Sequence, residues 1–319
     1  MIGSKTIGVE ASTNAADIII AKVGTGGLEK ISHTGDSTLQ SPFNQDTEEY
    51  RYRGSNPDNY VTFNEETWRI IGVFPTENAS GNIENRVKII RNESIGDYMW
   101  DDGSTISSVS NVVNSNILLT RLVIPNINNY GVIQLAPPII SGNNNWAKPS
   151  LLNAYLNNSY YNSLTMNAQS MIDDAKYYLG GYIIDTNITK DLMYSYERKI
   201  TGSDYYYQSN PNHVLSKIAL MYLSDYGYSA DQNCEHILED YDAFDCTNNN
   251  WLYLGDDEWT LSQIALDYYS AVVISSDGGL TLLMQVDWVY AVRPVLYLSS
   301  DVMITGGSGT SSDPYILSK

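Results

Sequence analysis

One stretch of the sequence decides the fold, and it begins Asn248-Asn249-Asn250-Trp251-Leu252-Tyr253-Leu254-Gly255-Asp256-Asp257-Glu258-Trp259-Thr260-Leu261-Ser262. It ends Ala291-Val292-Arg293-Pro294-Val295-Leu296-Tyr297-Leu298. Between these two blocks, apolar runs flank the turn Asp277-Gly278-Gly279, a pattern typical of a β-hairpin. The whole stretch therefore predicts three or four short antiparallel strands.

The chain outside this stretch also alternates between strand and turn signals. Residues 60–63 and 67–74, joined by a turn at 64–66, form a predicted hairpin, and residues 86–91 form a third strand of the same sheet. Ser150 and Thr165 precede apolar residues at helical spacing, so each is predicted to cap a short helix. Tyr182-Ile183-Ile184 is a further predicted strand, and residues 92–150 are rich in loop signals.

The composition limits the classes of partner. The 319 residues carry 37 acidic and 18 basic side chains, a formal net charge of −19 without any run of Lys or Arg. Such a surface repels a nucleic-acid backbone, so nucleic-acid binding is not expected. The sequence also has no apolar run of the ~18 to 20 residues that a transmembrane helix needs. The excess of 26 Tyr over 4 Phe fits either surface strands or a Tyr-rich contact surface.

The two cysteines, Cys234 and Cys246, predict a disulfide. Closing a loop of this size would stabilise the fold by roughly 3 kcal/mol and suits an oxidising compartment. Two free thiols in a cytosolic protein are the alternative, and the spacing does not fit a zinc site. Calcium is a possible cofactor, because acidic residues are concentrated around this loop. They are Asp225, Asp231, Asp240, Asp242 and Asp245.

Catalytic motifs are weak in this sequence. Asp256-Asp257-Glu258 could supply two carboxylates, but adjacent residues in a strand point in different directions. Cys234 and His236 could form a thiolate and its base, although a disulfide accounts for the cysteine more simply. No phosphate-binding or nucleophile-elbow motif occurs. The protein is therefore not expected to be an enzyme.

Several blocks resemble a family of uncharacterised exported and surface proteins of gut-type Firmicutes. These blocks are residues 52–61, 68–74, 217–228, 249–262 and 291–298. Their order is also similar, more distantly, to formylglycine-generating enzymes and to the variable receptor proteins of diversity-generating retroelements, in which a Trp- and Gly-rich strand precedes a closing strand containing Arg. Arg293 resembles that arginine, and the adjacent Pro294 predicts an edge or bulged strand. Cys234 and Cys246 precede the Trp-containing strand and so depart from the reactive cysteine pair of those enzymes.

The resemblance implies an α+β fold of the C-type-lectin-like kind, with short antiparallel sheets and two or three short helices. Residues 1–46 would form an N-terminal arm, 47–300 the C-type-lectin-like domain with long loops, and 301–319 a C-terminal hairpin or strand pair. Recognition of a ligand outside the cell, by a secreted or surface-bound protein, is the function that the resemblance implies.

The expected ligand-binding surface lies between Asp267 and Tyr290, where rings and polar groups can contact a carbohydrate or a protein. The predicted contact residues are Asp267, Tyr268, Tyr269, Asp277, Gln285, Asp287, Trp288 and Tyr290. An alternative function is a structural surface or fibre subunit whose N-terminal arm and terminal hairpin join copies by strand addition, which makes an oligomer possible. The third and least favoured hypothesis is that the protein is a carbohydrate-active enzyme.

Overall fold

The structure is a computed structural model that describes residues 14–103, 126–127, 133–134, 142–181 and 187–319. The predicted strand at 182–184, most of the predicted loop region 92–150 and the first part of the N-terminal arm lie outside the described residues. The fold is mixed α+β and is mostly sheet, with short helices between the strands. The α+β part of the prediction is therefore confirmed.

Short helices connect the strands, and the described chain has more of them than the two or three predicted. They are α1 (Ala15–Ile20), α2 (Leu151–Ala154), α3 (Tyr161–Ser163), α4 (Met166–Ser170), α5 (Lys190–Glu197), α6 (Leu223–Ser229) and α7 (Phe244–Thr247). A π-helical turn, Tyr155–Tyr160, joins α2 to α3, and a 3-10 turn covers Leu238–Asp240. The predicted caps are confirmed, since Ser150 accepts a hydrogen bond from the Asn153 amide and Thr165 from the Ala168 amide.

The strands are β1 (Leu28–His33), β2 (Thr47–Tyr52), β3 (Tyr60–Phe63), β4 (Glu66–Glu77), β5 (Ile83–Arg91), β6 (Asp97–Met99), β7 (Asn126–Ile127), β8 (Ile133–Gln134), β9 (Ala175–Tyr178), β10 (His213–Ser216), β11 (Ile218–Ala219), β12 (Glu258–Gln263), β13 (Ser270–Ile274), β14 (Leu280–Gln285), β15 (Val289–Ala291), β16 (Val295–Tyr297), β17 (Met303–Gly306) and β18 (Tyr315–Ser318). Two short pairs, β7 with β8 and β9 with β10, stand apart from the two larger sheets.

The larger sheet has nine strands in the order β11-β16-β5-β4-β3-β18-β17, with β2 on β4 and β1 on β2. Its centre is the twelve-residue strand β4, which pairs antiparallel with β3, β2 and β5. A two-residue turn joins β3 to β4 with Asn64 at φ 53° and Glu65 at φ 62°, the geometry that matches the twist of a hairpin. The predicted hairpin and its third strand are therefore confirmed.

The smaller sheet has five strands in the order β14-β13-β12-β15-β6 and contains the predicted Asp-Gly-Gly hairpin. Gly278 has a φ of 99°, and a Cβ there would lie 2.2 Å from Thr247 Cγ2, so the turn needs glycine at this position. Strands β12 and β13 are buried along their whole length, whereas β14 is only partly buried. Within the described chain β14 pairs with β13 alone, which makes it an edge strand.

One large hydrophobic core is shared by both sheets. It includes Trp68 and Ile89 of the nine-stranded sheet, Trp259 and Val273 of the five-stranded sheet, and Ile19 of α1. Residues 14–46 therefore contribute to the same core as the rest of the described chain. Residues 303–306 and 315–318 form an antiparallel pair that joins the nine-stranded sheet through β3.

The expectation that the strand after Arg293 is an edge or bulged strand is wrong. That strand, β16, has neighbours on both sides, β11 and β5. Pro294 immediately precedes the strand, so its missing amide costs no ladder hydrogen bond, and its carbonyl accepts one from the Arg91 amide at 3.1 Å. The proline therefore marks the start of an interior strand.

The predicted disulfide is present between Cys234 and Cys246, whose Cα atoms are 5.1 Å apart. Both cysteines are buried, and so are Leu238 and Tyr241 of the loop that they close. The disulfide therefore fixes a loop that also contributes side chains to the core.

Candidate ligand-binding surface

Most of the predicted contact residues meet around the end of β14. The Val286 amide donates to the Tyr269 carbonyl at 2.9 Å, and the Trp288 amide donates to the Gln285 carbonyl at 2.9 Å. The Tyr290 hydroxyl reaches back to Met284 Sδ at 2.9 Å. None of the eight predicted side chains is buried; each is exposed or half-buried.

Asp277 lies apart from the other predicted residues. It occupies the tip of the β13–β14 hairpin, where its carboxylate accepts a hydrogen bond from the Gly279 amide at 3.1 Å. The five-residue strand β13 separates this tip from Tyr269, and at the usual rise per residue it spans about 16 Å. Asp277 is therefore not brought into the same surface.

Exposed rings at the end of β14 rest on buried tryptophans. Trp288 lies 6.5 Å from Tyr290, and Tyr290 lies 4.8 Å from Trp259 in an edge-to-face arrangement. The series continues inward from Trp259 to Trp100 at 5.8 Å and from Trp100 to Trp146 at 5.2 Å. Trp288 is 48% exposed, whereas the three inner tryptophans are almost fully buried. The outer rings are therefore held in place by close-packed aromatic neighbours.

A second group of rings belongs to the loop between β12 and β13. Tyr268 and Tyr269 contact each other edge to face at 5.2 Å, and Tyr207, from a distant part of the chain, lies 5.7 Å from Tyr268. We call the five side chains Tyr207, Tyr268, Tyr269, Trp288 and Tyr290 the aromatic surface. The aromatic surface has polar neighbours in the sequence and in the fold, namely Gln285, Asp287 and the loop that contains Asp267.

The loop that carries Tyr268 and Tyr269 is fixed by hydrogen bonds from two sides. Asp267 Oδ1 accepts from the amides of Tyr269 at 2.9 Å and Ser270 at 2.7 Å, so this carboxylate shapes the loop. Asn144 Nδ2 donates to the carbonyls of Ile264, Asp267 and Ser270, and the Asn144 amide donates to the Tyr268 carbonyl at 2.7 Å. Asn144 is buried and positions the loop, although the sequence had not singled it out.

Exposed apolar side chains are concentrated in the part of the chain that forms the aromatic surface. Five of the thirteen large hydrophobic residues exposed in the described chain lie between residues 266 and 289, which indicates a patch instead of scattered exposure. They are Leu266, Tyr268, Leu283, Trp288 and Val289. Sequence reasoning missed Leu266, Leu283, Val289 and Tyr207. The uncharged strand Leu280-Thr281-Leu282-Leu283-Met284-Gln285 is the signal that could have indicated Leu283.

The acidic group 256–258 is engaged in structural contacts. Glu258 is buried and forms a two-pronged ion pair with Arg293, through Nε and Nη2 at 2.7 Å each. Arg293 also donates to the Leu252 carbonyl at 2.6 Å. Burial raises the pKa of Glu258, and Arg293 opposes that rise. Asp257 accepts a hydrogen bond from the Ser276 amide at 2.7 Å, so these acids do not face each other across a catalytic gap.

The acids proposed for calcium are spread over different environments. Asp225 is fully buried and its carboxylate is shared by Arg51 and Lys88, so it is not available to a cation. Asp231 accepts hydrogen bonds from Asn233, and Asp245 is paired with His236 at 3.1 Å. His236, Asp245 and Cys246 come within 4.8 Å of one another, but the Cys246 sulfur is in the disulfide and is not a thiolate ligand.

Two clefts lie away from the aromatic surface. One, of about 390 Å³, is lined by residues 44–48 and by Ser41, Pro42, Tyr50, Pro75, Ile83 and Asn85, and its acids are engaged. Asp46 accepts from the Gly35 amide at 2.8 Å and Glu48 pairs with Lys30 at 2.9 Å. The other, of about 200 Å³, is lined by Lys22, Thr25, Gly26, Tyr52, Asp58, Ser308 and Tyr315.

Comparison with protein-family models, with curated proteins and with solved structures finds no match to this chain. Among the described residues, no helix has both the length and the apolar character needed to cross a membrane.

Proposed function

We propose that this chain is an exported ligand-recognition protein, adhesin- or receptor-like, that binds a carbohydrate or a protein through the aromatic surface. The fold in this proposal is C-type-lectin-like, and the chain performs no catalysis.

The observation that carries the proposal is a set of exposed rings that includes Trp288, which lies at the outer end of a series of buried tryptophans. Trp288 and Tyr268 are exposed to solvent. Tyr290 and Trp259 pack behind Trp288, whereas Tyr207 and Tyr269 pack against Tyr268. Rings that are ordered before binding lose little conformational entropy when a ligand arrives. Such rings can stack on sugar faces or fill hollows on a protein.

Support for the C-type-lectin-like fold comes from the architecture around Arg293. Short helices surround two mainly antiparallel sheets, and the Trp259-containing strand is tied to the segment before β16 by the Glu258–Arg293 pair. This arrangement agrees with the Trp-containing strand and Arg-containing closing strand of the resemblance. The disulfide supports export, because such bonds persist in oxidising compartments.

The experiment that tests the proposal is a glycan and host-protein array probed with matched variants. The test protein carries Tyr268→Ala, Tyr269→Ala and Trp288→Ala together. The control is Phe244→Ala, because Phe244 is 82% exposed in α7 and is not part of the aromatic surface. Wild type and the control should share the same hits, and the triple variant should lose them. An array without hits for wild type, or with equal hits for the triple variant, would reject the proposal.

A structural subunit that assembles by strand addition is the second candidate, and the edge strand β14 favours it. This strand contains no charged residue or proline, two of the features that block pairing between sheet edges. Light scattering should then show oligomers of wild type that Leu283→Lys dissociates. A monomeric wild type would exclude this candidate.

A further inference from the structure

A cluster of buried charges lies between the nine-stranded sheet and helices α5 and α6. It combines three cations and three acids, each at most 3% exposed. They are Glu49, Arg51, Lys88, Glu197, Arg198 and Asp225. Burying separate charges costs several kcal/mol for each ion, so a cluster of this size needs an explanation.

Lys88 and Asp225 are in direct contact at the centre of this cluster. Lys88 Nζ, on β5, donates to Oδ2 of Asp225, which lies 137 positions later in the first turn of α6. The other carboxylate oxygen, Oδ1, accepts from Arg51 Nη1 at 2.9 Å, and Oδ2 also accepts from the Tyr222 amide at 3.0 Å. The amine and the carboxyl group are therefore held together by the fold.

Aromatic rings surround the amine of Lys88. Its Nζ lies 4.2 Å from the centre of the Tyr222 ring, 5.4 Å from Tyr297 and 5.6 Å from Phe74. Burial lowers the pKa of Lys88, although Asp225 opposes this change. An amine with a lowered pKa gives up its proton more readily, and the neutral amine is the nucleophilic form.

We propose that Lys88 and Asp225 condense to an intramolecular amide, an isopeptide bond that joins β5 to α6. Lys88 Nζ forms a bond to Asp225 Cγ, and the bond from Cγ to Oδ2 breaks. Two of the three protons of the ammonium group move to Oδ2, which leaves as water, and the third stays on the amide nitrogen. No oxidant, reductant or further reactant is needed, and one positive and one negative charge disappear together.

The residues around the pair suit the attack of the amine on the carboxyl carbon. Attack on Cγ places negative charge on Oδ1, which already faces the Arg51 guanidinium. Holding two reactants in place gives effective concentrations of about 10⁵–10⁸ M in favourable cases, which offsets the preference of water for the separate groups. Arg51 with Glu49 and Arg198 with Glu197 remain as ion pairs, so the cluster keeps its charge balance after the reaction.

Intact-mass measurement of the folded, full-length protein under non-reducing conditions tests this proposal. Wild type should be lighter by one water molecule than its sequence with the disulfide formed. Digestion and tandem mass spectrometry should place Lys88 and Asp225 in one branched fragment. Lys88→Met and Asp225→Ala should each have the full mass of their sequences.

A further variant separates condensation from other losses of water. If Asp225→Asn reacts, it releases ammonia in place of water and gives the same product mass as wild type. A wild-type protein at its full sequence mass would overturn the proposal, whether or not the variants fold. A loss of water mapped to any other pair of residues would overturn it as well.

Discussion

At the residue scale, Asn144 shows how one buried amide controls the position of exposed rings. The two N–H donors of its Nδ2 are shared among three carbonyls, those of Ile264 and Asp267 at 3.1 Å each and that of Ser270, the first residue of β13, at 2.7 Å. A single side chain thus supplies hydrogen bonds to carbonyls that would otherwise be buried without a partner. These side-chain contacts hold the loop that carries Tyr268.

Replacing Asn144 with Ala should therefore weaken both stability and ligand binding. Each lost hydrogen bond contributes about 1 kcal/mol, so we expect the free energy of unfolding to fall by about 2–4 kcal/mol. Urea unfolding followed by fluorescence measures this change. Asn248→Ala is a suitable control, because Asn248 is exposed and caps the C-terminal end of α7. Equal stability of the two variants would contradict the role given to Asn144.

The buried carboxylate of Glu49 should make stability depend on pH. Burial alone raises the pKa of Glu49, but Arg51, His33 and Arg198 together lower it below the ordinary 4.5. The unfolded chain therefore takes up the proton first as the pH falls, so the stabilisation is present above about pH 4.5 and is lost below it. Glu49→Gln should reduce the fall in the free energy of unfolding between about pH 6 and pH 3.

Urea unfolding at a series of pH values measures this difference in slope. Glu93→Gln is the matched control, since the exposed Glu93 side chain hydrogen-bonds only to its neighbour Asn92 among the contacts described. Identical slopes for wild type and Glu49→Gln would show that this carboxylate does not control acid stability.

Residue roles were predictable from the sequence only where the partner is near in the chain. The caps Ser150 and Thr165 bond to amides three residues ahead, a distance that local patterns encode. Asn144 bonds to carbonyls 120, 123 and 126 positions away, and Lys88 to a carboxylate 137 positions away. A single sequence contains no local signal for such contacts.

At the element scale, the turn between β3 and β4 has one residue that does not suit its conformation. Both turn residues have positive φ, which Asn64 tolerates and the exposed Glu65 does not. Glu65→Gly should therefore raise the free energy of unfolding by about 1 kcal/mol. Thermal or urea unfolding measures the gain. Glu65→Ala should give no such gain, and a destabilised glycine variant would contradict the explanation.

The disulfide stabilises the fold at the scale of structural elements. It closes a loop with a sequence separation of 12, for which the chain-entropy model gives roughly 3 kcal/mol. Reduction, or Cys234→Ser with Cys246→Ser, should lower the free energy of unfolding by about that amount. Urea unfolding with and without reductant measures the loss. The double serine variant should not respond to reductant, and a wild type that also fails to respond would contradict the prediction.

The sequence predicts which segments form strands more readily than it predicts the order of those strands in a sheet. The hairpins β3–β4 and β13–β14 were predictable because their turns and alternation are local. The place of β16 between β11 and β5 was not, because its partners lie far along the chain and Pro294 suggested an edge. Register across distant strands is set by packing, which a single sequence does not display.

At the scale of the whole molecule, burial makes the outer surface more acidic than the composition suggests. At least seven of the 18 cationic side chains are buried, against five described acids among 37. The buried cations are Arg51, Arg69, Arg86, Lys88, Lys176, Arg198 and Arg293. Long-range repulsion should then disfavour polyanionic ligands. Sulfated glycans and nucleic acids are expected to give no signal on an array.

The N-terminal part of the chain is joined to the rest by packing. Ala15, Ile19 and Leu28 are buried in the main core, and Leu39 and Phe43 belong to a smaller buried cluster with Tyr178 and Tyr194. Deleting the residues before Gln45 would therefore remove core side chains as well as any contact between copies. Leu283→Lys changes the edge strand alone, so it is the better test of assembly.

The measurement that tests the central claim most directly is the equilibrium Kd for the strongest ligand found on the array. Loss of contact rings should cost at least about 2 kcal/mol, which is a weakening of roughly 30-fold in the Tyr268→Ala, Tyr269→Ala, Trp288→Ala variant. Phe244→Ala should bind as wild type does. An unchanged Kd in the triple variant, with its fold intact by circular dichroism, would contradict recognition through the aromatic surface.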